Sequence, residues 1–157
     1  MLPYFEAMNQ LAISEAIRES LWMTAVINTA HLLFLVMFVG AVLIVDLRLL
    51  GRGARSQPLS QVARDAQPWL IAALIGLTIT GIPQLLSNAL REYRSYLFWF
   101  KMTVLLVALV YTFTVRRRVT LADETRVAPA ARMAVGLISI ALWTAVAIPA
   151  RLIGLFT

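Results

Sequence analysis

The sequence predicts an all-α membrane protein, an up-down bundle of four transmembrane helices preceded by a short N-terminal interfacial helix. Hydrophobic residues make up 61% of the 157 residues, whereas soluble domains are usually nearer half apolar. Four apolar runs are long enough to cross a bilayer, and the charged residues gather in the short segments between them. Because short connections make successive helices antiparallel neighbours, we expect one transmembrane domain that covers residues 1–157.

Residues 3–20 are expected to form the interfacial helix. Pro3 suits a first helical turn, and apolar side chains recur on roughly one face of the segment. These side chains are Phe5, Met8, Ala12, Ala16 and Ile17. A partly ordered terminus is the alternative, since chain ends often fray.

The first span covers about residues 21–45, carries no formal charge and contains His31, the only histidine of the chain. Asn28 lies about one helical turn before His31, and Thr24 lies one turn before Asn28. This spacing predicts that the three side chains share one face of the helix. Polar groups at such a depth are costly, so they need partners inside the protein.

The second span is expected to cover about residues 68–86. Pro68 suits a first helical turn and Trp69 suits the membrane interface. Gly81 and Pro83 predict a kink or a weakened turn in its second half. A seam of small residues for close helix packing recurs at every fourth position: Ala72, Gly76 and Thr80.

The third span, about residues 97–115, holds the only lysine, Lys101, about one turn inside its start. The consecutive arginines 116–118 are expected to stop this span abruptly. The fourth span, about residues 133–156, has Trp143 near its middle and Arg151 near its end.

The distribution of arginines predicts the orientation of the bundle. The segments after the first and third spans hold most of the arginines, and the positive-inside rule places such segments in the cytoplasm. Both termini then lie outside. We assign the net charge of +6 to this topology signal and not to nucleic-acid binding. The arginines in question are Arg48, Arg52, Arg55, Arg64, Arg116, Arg117, Arg118, Arg126 and Arg132.

This orientation places polar side chains from all four spans in the outer half of the membrane. The inner halves are almost entirely hydrocarbon, so we expect a polar pocket that opens outward and closes below His31. The predicted ligand-binding residues are His31, Asn28, Thr24, Gln84, Lys101, Trp143 and Arg151.

Each pocket residue also has a purely structural interpretation. His31 can hydrogen-bond to a neighbouring helix, as polar side chains often do in membranes. Lys101 and Arg151 can extend to the outer headgroups. Thr24 can bond to its own helix backbone, and Trp143 can fill the core.

The pattern favours ligand binding over catalysis, because the sequence contains no known catalytic motif and no residue is assigned a catalytic role. Cysteine is absent, which excludes disulfides and thiolate metal sites. Two cations above a neutral histidine suit an anion, or a haem whose iron binds His31 and whose propionates meet Lys101 and Arg151. The second ligand of such a haem would be Met102 or Met23, a second subunit, or an open position. Copper is the other candidate, with His31 as metal ligand alongside methionines, because imidazole and thioether groups suit Cu(I).

Several motifs resemble those of a family of uncharacterised bacterial four-helix inner-membrane proteins. They are the outer-half histidine of span one, the later Asp-Leu-Arg-Leu-Leu-Gly at 46–51, Phe100-Lys101 and the arginine near the C-terminal end. That group is distantly similar to the copper-resistance protein D superfamily, whose members are linked to copper import. The resemblance implies a multi-pass protein of the bacterial inner membrane, with His31, Lys101 and Arg151 as its functional positions.

Three functions remain open from the sequence. The first is a membrane protein that transports or binds a small ligand, such as copper, in a pocket around His31. The second is a haem-binding electron-transfer protein. The third is a non-catalytic accessory or anchor subunit, which would form a homo-oligomer or part of a larger membrane complex through the seam at Ala72, Gly76 and Thr80. In every case the main partner of the protein is the lipid bilayer.

Overall fold

The structure is a computed structural model that describes residues 2–11, 15, 19–53 and 56–156; for residues 2, 5, 8, 9 and 150–156 only the backbone is described. Every regular element among these residues is helical. The elements in chain order are α1 (Leu2–Asn9), α2 (Leu21–Leu49), α3 (Leu59–Ser87), α4 (Ala89–Arg94), α5 (Tyr96–Tyr111), a π-helical turn (Thr112–Arg116), α6 (Arg117–Leu121) and α7 (Pro129–Phe156).

Four helices in the described part of the chain are long and apolar enough to cross a membrane. They are α2, α3, the continuous helix Tyr96–Leu121, and Pro129–Pro149 within α7. We call them the first to fourth membrane helices. The prediction of an all-helical, multi-pass membrane protein is therefore confirmed. The first three continue beyond the spans expected from the sequence, and α7 begins before its expected span and ends at Phe156.

The first membrane helix begins with a side-chain cap and ends in a glycine motif. The Met23 amide donates to the Ser20 hydroxyl at the start of α2. At its end the amides of Gly51 and Arg52 donate back to the carbonyls of Arg48 and Leu47. Gly51 has a positive φ of 73°, which the last turn requires and which glycine adopts without a steric penalty.

The second membrane helix starts earlier than Pro68 and Trp69 suggest. It begins at Leu59, so Pro68 lies in its interior and not in its first turn. A proline there leaves the carbonyl of Arg64, four residues earlier, without its intrahelical donor. Arg64 and Pro68 are both exposed near the polar end of the helix, where water or lipid headgroups can satisfy that carbonyl. The helix also continues unbroken past Gly81 and Pro83 to Ser87.

The third membrane helix does not stop at its three arginines, which corrects the sequence prediction. It passes through the π-helical turn Thr112–Arg116 and continues to Leu121. Arg116 is 5% exposed and faces the interior, whereas Arg117 and Arg118 are exposed. The buried arginine is tolerated because an acidic partner, described below, neutralises it.

The first and fourth membrane helices hold the bundle together. The first packs along the second and also contacts the fourth, and the fourth packs along the third. The second helix meets the third chiefly at α6. Along the first interface the contacts run from His31 opposite Thr80 to Phe34 opposite Gly76. Two apolar clusters fill the core: Val45, Leu49, Leu59, Val62, Ala66 and Val135, and Phe38, Ala41, Val42, Leu70 and Ala73.

The N-terminal helix is shorter than the 3–20 segment expected from the sequence. α1 covers Leu2–Asn9 and is followed by a turn at Gln10 and a bend at Leu11. It packs against α4, the short helix between the second and third membrane helices. Of the predicted apolar face, Ala12, Ala16, Ile17 and the side chains of Phe5 and Met8 lie outside the described residues.

Candidate ligand site

His31 lies on the side of the first membrane helix that packs against the second. Its Nδ1 atom is 2.8 Å from the Thr80 hydroxyl oxygen, and the imidazole is partly buried. The Thr80 hydroxyl in turn lies 2.7 Å from the carbonyl oxygen of Gly76 in its own helix. His31 thus hydrogen-bonds to a neighbouring helix, as the structural interpretation of the sequence expected.

This hydrogen-bond chain determines which nitrogen of His31 is available. A hydroxyl group has one proton, and Thr80 donates it to the Gly76 carbonyl. The hydroxyl oxygen must then accept from His31, so Nδ1 carries the proton of the neutral imidazole. The lone pair of Nε2 remains available for a proton, a hydrogen-bond donor or a metal ion.

Two glycines of the second membrane helix, Gly76 and Gly81, allow it to pack closely against the first helix near His31. Gly81 lies directly against the imidazole, since a Cβ atom there would sit 3.5 Å from Cε1 of His31. Gly76 lies against the ring of Phe34, where an added Cβ atom would clash. The small-residue seam thus serves a contact within the chain at Gly76 and Thr80, while Ala72 is exposed.

A positive charge from the start of the third membrane helix lies near the imidazole. Lys101 is partly buried and is close enough for its charge to act on both His31 and Glu92. Burial raises the pKa of the Glu92 carboxyl, and the positive charges of Lys101 and Arg91 oppose that rise. The polar region around His31 therefore includes a cation from another membrane helix.

The other predicted pocket residues are dispersed. Thr24 and Gln84 are partly buried on the first and second helices, one to two turns from the His31–Thr80 contact. Asn28 is exposed and does not share the packed side of the helix with His31. Arg151 belongs to α7, but its side chain lies outside the described residues.

Trp143 belongs to the apolar core and lies away from His31. Its ring meets that of Phe38 edge to face, with ring centroids 4.5 Å apart. Its indole N–H donates to the Thr112 hydroxyl over 3.3 Å. Phe38 is two helical turns along from His31, so Trp143 packs at a different level of the bundle.

A buried ion pair that the sequence analysis missed joins three membrane helices. Asp46 is fully buried, and its Oδ1 accepts from Nε of Arg116 over 2.7 Å. Its Oδ2 accepts from the Ser139 hydroxyl, also over 2.7 Å. Nη2 of Arg116 donates to the Val42 carbonyl over 3.0 Å. Asp46 follows Phe38 and Val42 in steps of four, so it lies on the same buried side of the first helix.

A second ionic cluster binds the adjacent loops together around Glu124. One carboxylate oxygen accepts from Arg48 over 3.0 Å and from the Leu59 amide over 2.6 Å, and the other accepts from Arg132 over 3.1 Å. The contact with Leu59 caps the start of the second membrane helix from a different loop. The hydrogen bond from that amide, with the two guanidinium groups, lowers the pKa of Glu124.

A cleft with apolar walls and several polar groups lies between the second and third membrane helices, at the same end as these ion pairs. It has a volume of about 40 Å³, and its polar lining consists of Gln67, Thr112, Arg116, Arg117 and Thr120. A neighbouring groove of about 440 Å³ shares Phe113, Arg117 and Leu121 with this cleft and adds Thr114 and Arg118. We call the two together the arginine cleft.

The described residues contain no group of three or more histidine, cysteine or acidic side chains that could hold a metal ion. The two methionines considered as second ligands of a haem, Met23 and Met102, are 44% and 41% exposed. A metal bound at His31 would therefore have one imidazole ligand, and its other ligands would not all be histidine, cysteine or acidic side chains of the described residues.

Comparison with known proteins identifies one family. A family model described as "Family of unknown function (DUF6644)" matches residues 19–156. No curated protein and no solved structure matches the chain. The match begins just before the first membrane helix, so it includes all four of them, and it provides no link to the copper-resistance protein D superfamily.

Proposed function

This chain belongs to the family of unknown function DUF6644, and we propose that it is a membrane protein that binds or transports a small ligand through Nε2 of His31. The membrane helices alternate in direction, with both termini on the outer side of a bacterial inner membrane. His31 and Lys101 then lie in the outer half of the bilayer. The match of an uncharacterised family is consistent with the resemblance noted from the sequence.

Two observations support this arrangement of the helices. Contacts between the first two helices run in opposite senses along the chain, with His31 opposite Thr80 and Phe34 opposite Gly76. Exposed arginines such as Arg52 and Arg118 lie on the side expected to be cytoplasmic. The alternation and the orientation would both be tested by attaching a reporter enzyme to each loop in turn.

The observation that carries the functional proposal is the contact of His31 Nδ1 with the Thr80 hydroxyl, which leaves Nε2 on the other side of the ring. Histidines that bind metals usually donate their second ring N–H to a protein acceptor, which orients the ring and increases its basicity. Here Thr80 is that acceptor, held in place by the Gly76 carbonyl. The cation Lys101 nearby favours a ligand with an anionic group.

Cu(I) is the first probe for this proposal, because it accepts imidazole together with exogenous ligands. The purified protein in detergent competes for Cu(I) with a chromophoric chelator. We expect binding by the native protein, no binding by His31→Ala, and about 10–100-fold weaker binding by Thr80→Val, the usual cost of losing a partner of a metal ligand. Asn28→Ala is the matched control, because Asn28 is a polar residue on the same helix that is exposed.

If the native protein removes no Cu(I) from the chelator, the proposal for copper is wrong. The result would contradict a role for His31 if His31→Ala bound as tightly as the native protein. Circular dichroism of each variant shows whether the helical fold is retained.

Haem is a second candidate, because the same oriented Nε2 suits an axial ligand of iron. Lys101 would meet a propionate, and a second copy of the chain or a methionine would supply the other axial ligand. Expression with ample haem would give a Soret band that His31→Ala lacks. Absence of a Soret band from the native protein excludes this candidate.

An accessory or anchor role is the remaining alternative. Gly76 and Thr80 face the first helix of the same chain, so a partner would have to use other surfaces, such as exposed Ala72. Light scattering in mild detergent distinguishes the two cases, because an anchor forms an oligomer or complex and a self-contained binding protein is a monomer.

A further inference from the structure

The arginine cleft forms where two membrane helices fail to pack along their length. The second and third helices meet chiefly at α6, and beside that contact the cleft opens between them. The neighbouring groove lies on the surface of the third helix. Their walls include apolar side chains such as Leu70, Phe113 and Leu121. A membrane protein leaves such a surface to lipid chains, since no water is present to cover it.

The cationic groups of the cleft are not all neutralised by the protein. Arg116 is paired with Asp46, but Arg117 and Arg118 form no ion pair within the described residues. The acidic residues of the next loop are already engaged, Glu124 with two arginines and Asp123 with Arg126. The rim of the cleft therefore retains two exposed positive charges.

An apolar wall beneath two guanidinium groups has the chemistry of an anionic phospholipid site. Guanidinium groups bind phosphate oxygens in pairs, and basic pockets between transmembrane helices bind anionic headgroups. We propose that the arginine cleft binds an anionic phospholipid, with its phosphate at Arg117 and Arg118 and an acyl chain along Phe113 and Leu121. The narrower cleft beside Arg116 has room for about one small group, so the bulk of the lipid occupies the groove.

This proposal is independent of ligand binding at His31. The arginine cleft adjoins the Asp46–Arg116 pair, whereas His31 lies about four helical turns before Asp46 on the first helix. Failure of the Cu(I) or haem experiment would leave the lipid site untouched, and failure of the lipid experiment would leave His31 untouched.

The test measures lipid retention by native mass spectrometry on delipidated protein in neutral detergent. Phosphatidylglycerol and phosphatidylcholine with the same acyl chains are added in separate titrations. We expect the native protein to retain phosphatidylglycerol about 30-fold more strongly, from roughly fivefold for each arginine near the headgroup. The double variant Arg117→Gln/Arg118→Gln should lose this preference.

A control variant removes the same charge elsewhere. Arg52→Gln/Arg126→Gln changes two exposed loop arginines that do not line the cleft, and we expect it to keep the native preference. The variant Arg117→Lys/Arg118→Lys should retain only part of it, because lysine keeps the charge and loses the paired geometry.

Three results would overturn the proposal. Equal retention of the two lipids by the native protein removes the anionic site. An equal loss in the control variant shows that overall charge and not the cleft selects the lipid. Displacement of phosphatidylglycerol by millimolar inorganic phosphate shows that the arginines bind free phosphate and that the apolar wall contributes nothing.

Discussion

Replacing Asp46 by alanine should destabilise this protein more than any other single loss of a charge. The substitution leaves Arg116 buried at 5% exposure with no acidic partner, and it removes the acceptor of the Ser139 hydroxyl. Breaking a buried ion pair by removing one partner usually costs about 3–5 kcal/mol. Because every 1.4 kcal/mol or so is a factor of ten, the ratio of folded to unfolded protein should fall by about two to four orders of magnitude.

Reversible unfolding in mixed micelles measures this free energy. Increasing fractions of a denaturing detergent unfold the protein while far-ultraviolet circular dichroism follows its helices. Asp123→Ala is the matched control, because Asp123 pairs with Arg126 at the surface with 73% of its side chain exposed. Such an exposed pair contributes no more than about 1 kcal/mol.

A double variant separates the cost of an unpaired charge from the value of the pair itself. Asp46→Leu/Arg116→Met removes both charges and keeps apolar volume, so it should be more stable than Asp46→Ala. Two results would refute the reasoning: a loss in Asp46→Ala no larger than that in Asp123→Ala, or a double variant as unstable as Asp46→Ala.

Three further predictions follow from other contacts. The pKa of Glu124 is lowered in the folded protein. The carboxylate therefore stabilises the fold above its ordinary pKa near 4.5, and this stabilisation is lost as the pH falls through the pKa of the folded protein. On acidification the melting temperature of the native protein should decline, and that of Glu124→Gln should decline much less. Gly76→Ala should destabilise by about 1–3 kcal/mol, because its Cβ atom meets a phenylalanine ring, whereas Gly40→Ala meets nothing within 4 Å and serves as the control. Trp143→Phe should keep the apolar packing and lose the indole hydrogen bond, at a cost of about 1 kcal/mol in the same unfolding assay.

Each of these predictions has a result that contradicts it. For Glu124, identical acid dependence in the two proteins would show that the carboxylate contributes no proton-linked stability. For Gly76, equal stability of the two alanine variants would show that the neighbouring ring moves freely. For Trp143, a loss above about 3 kcal/mol would indicate packing damage in place of a single lost hydrogen bond.

The number and place of the membrane helices could be predicted because long apolar runs have few alternatives in a bilayer. A contact of His31 with this part of the second helix was within reach too, since Gln84, one turn after Thr80, was assigned to the same pocket as His31. Asn28 could not be placed by spacing alone. It lies about 60° around the helix axis from His31. Only the position of the second helix shows whether a residue at that angle is packed or exposed, and Asn28 is exposed.

The ion pair of Asp46 and Arg116 was missed for a specific physical reason. Both residues lie where an apolar run meets a charged segment, and there the sequence does not distinguish an interfacial charge from a buried one. The π-helical turn adds one residue per turn without any signature in composition, and Arg116 is its last residue. The contacts of Glu124 have no sequence signature either, because its partners Arg48 and Leu59 lie in other segments of the chain.

The ion pairs at one end of the bundle affect how the molecule deforms. There Asp46 and Glu124 connect the first three membrane helices to one another and to the beginning of the fourth. About four helical turns away, the contact of His31 with Thr80 joins the first two helices. Thermal motion that separates the helices should therefore grow steadily from the Asp46 end towards His31. Backbone amides near Leu59 should exchange with deuterium far more slowly than equivalent amides near Ser87. The second membrane helix should therefore be rigid at its N-terminal end and flexible at its C-terminal end.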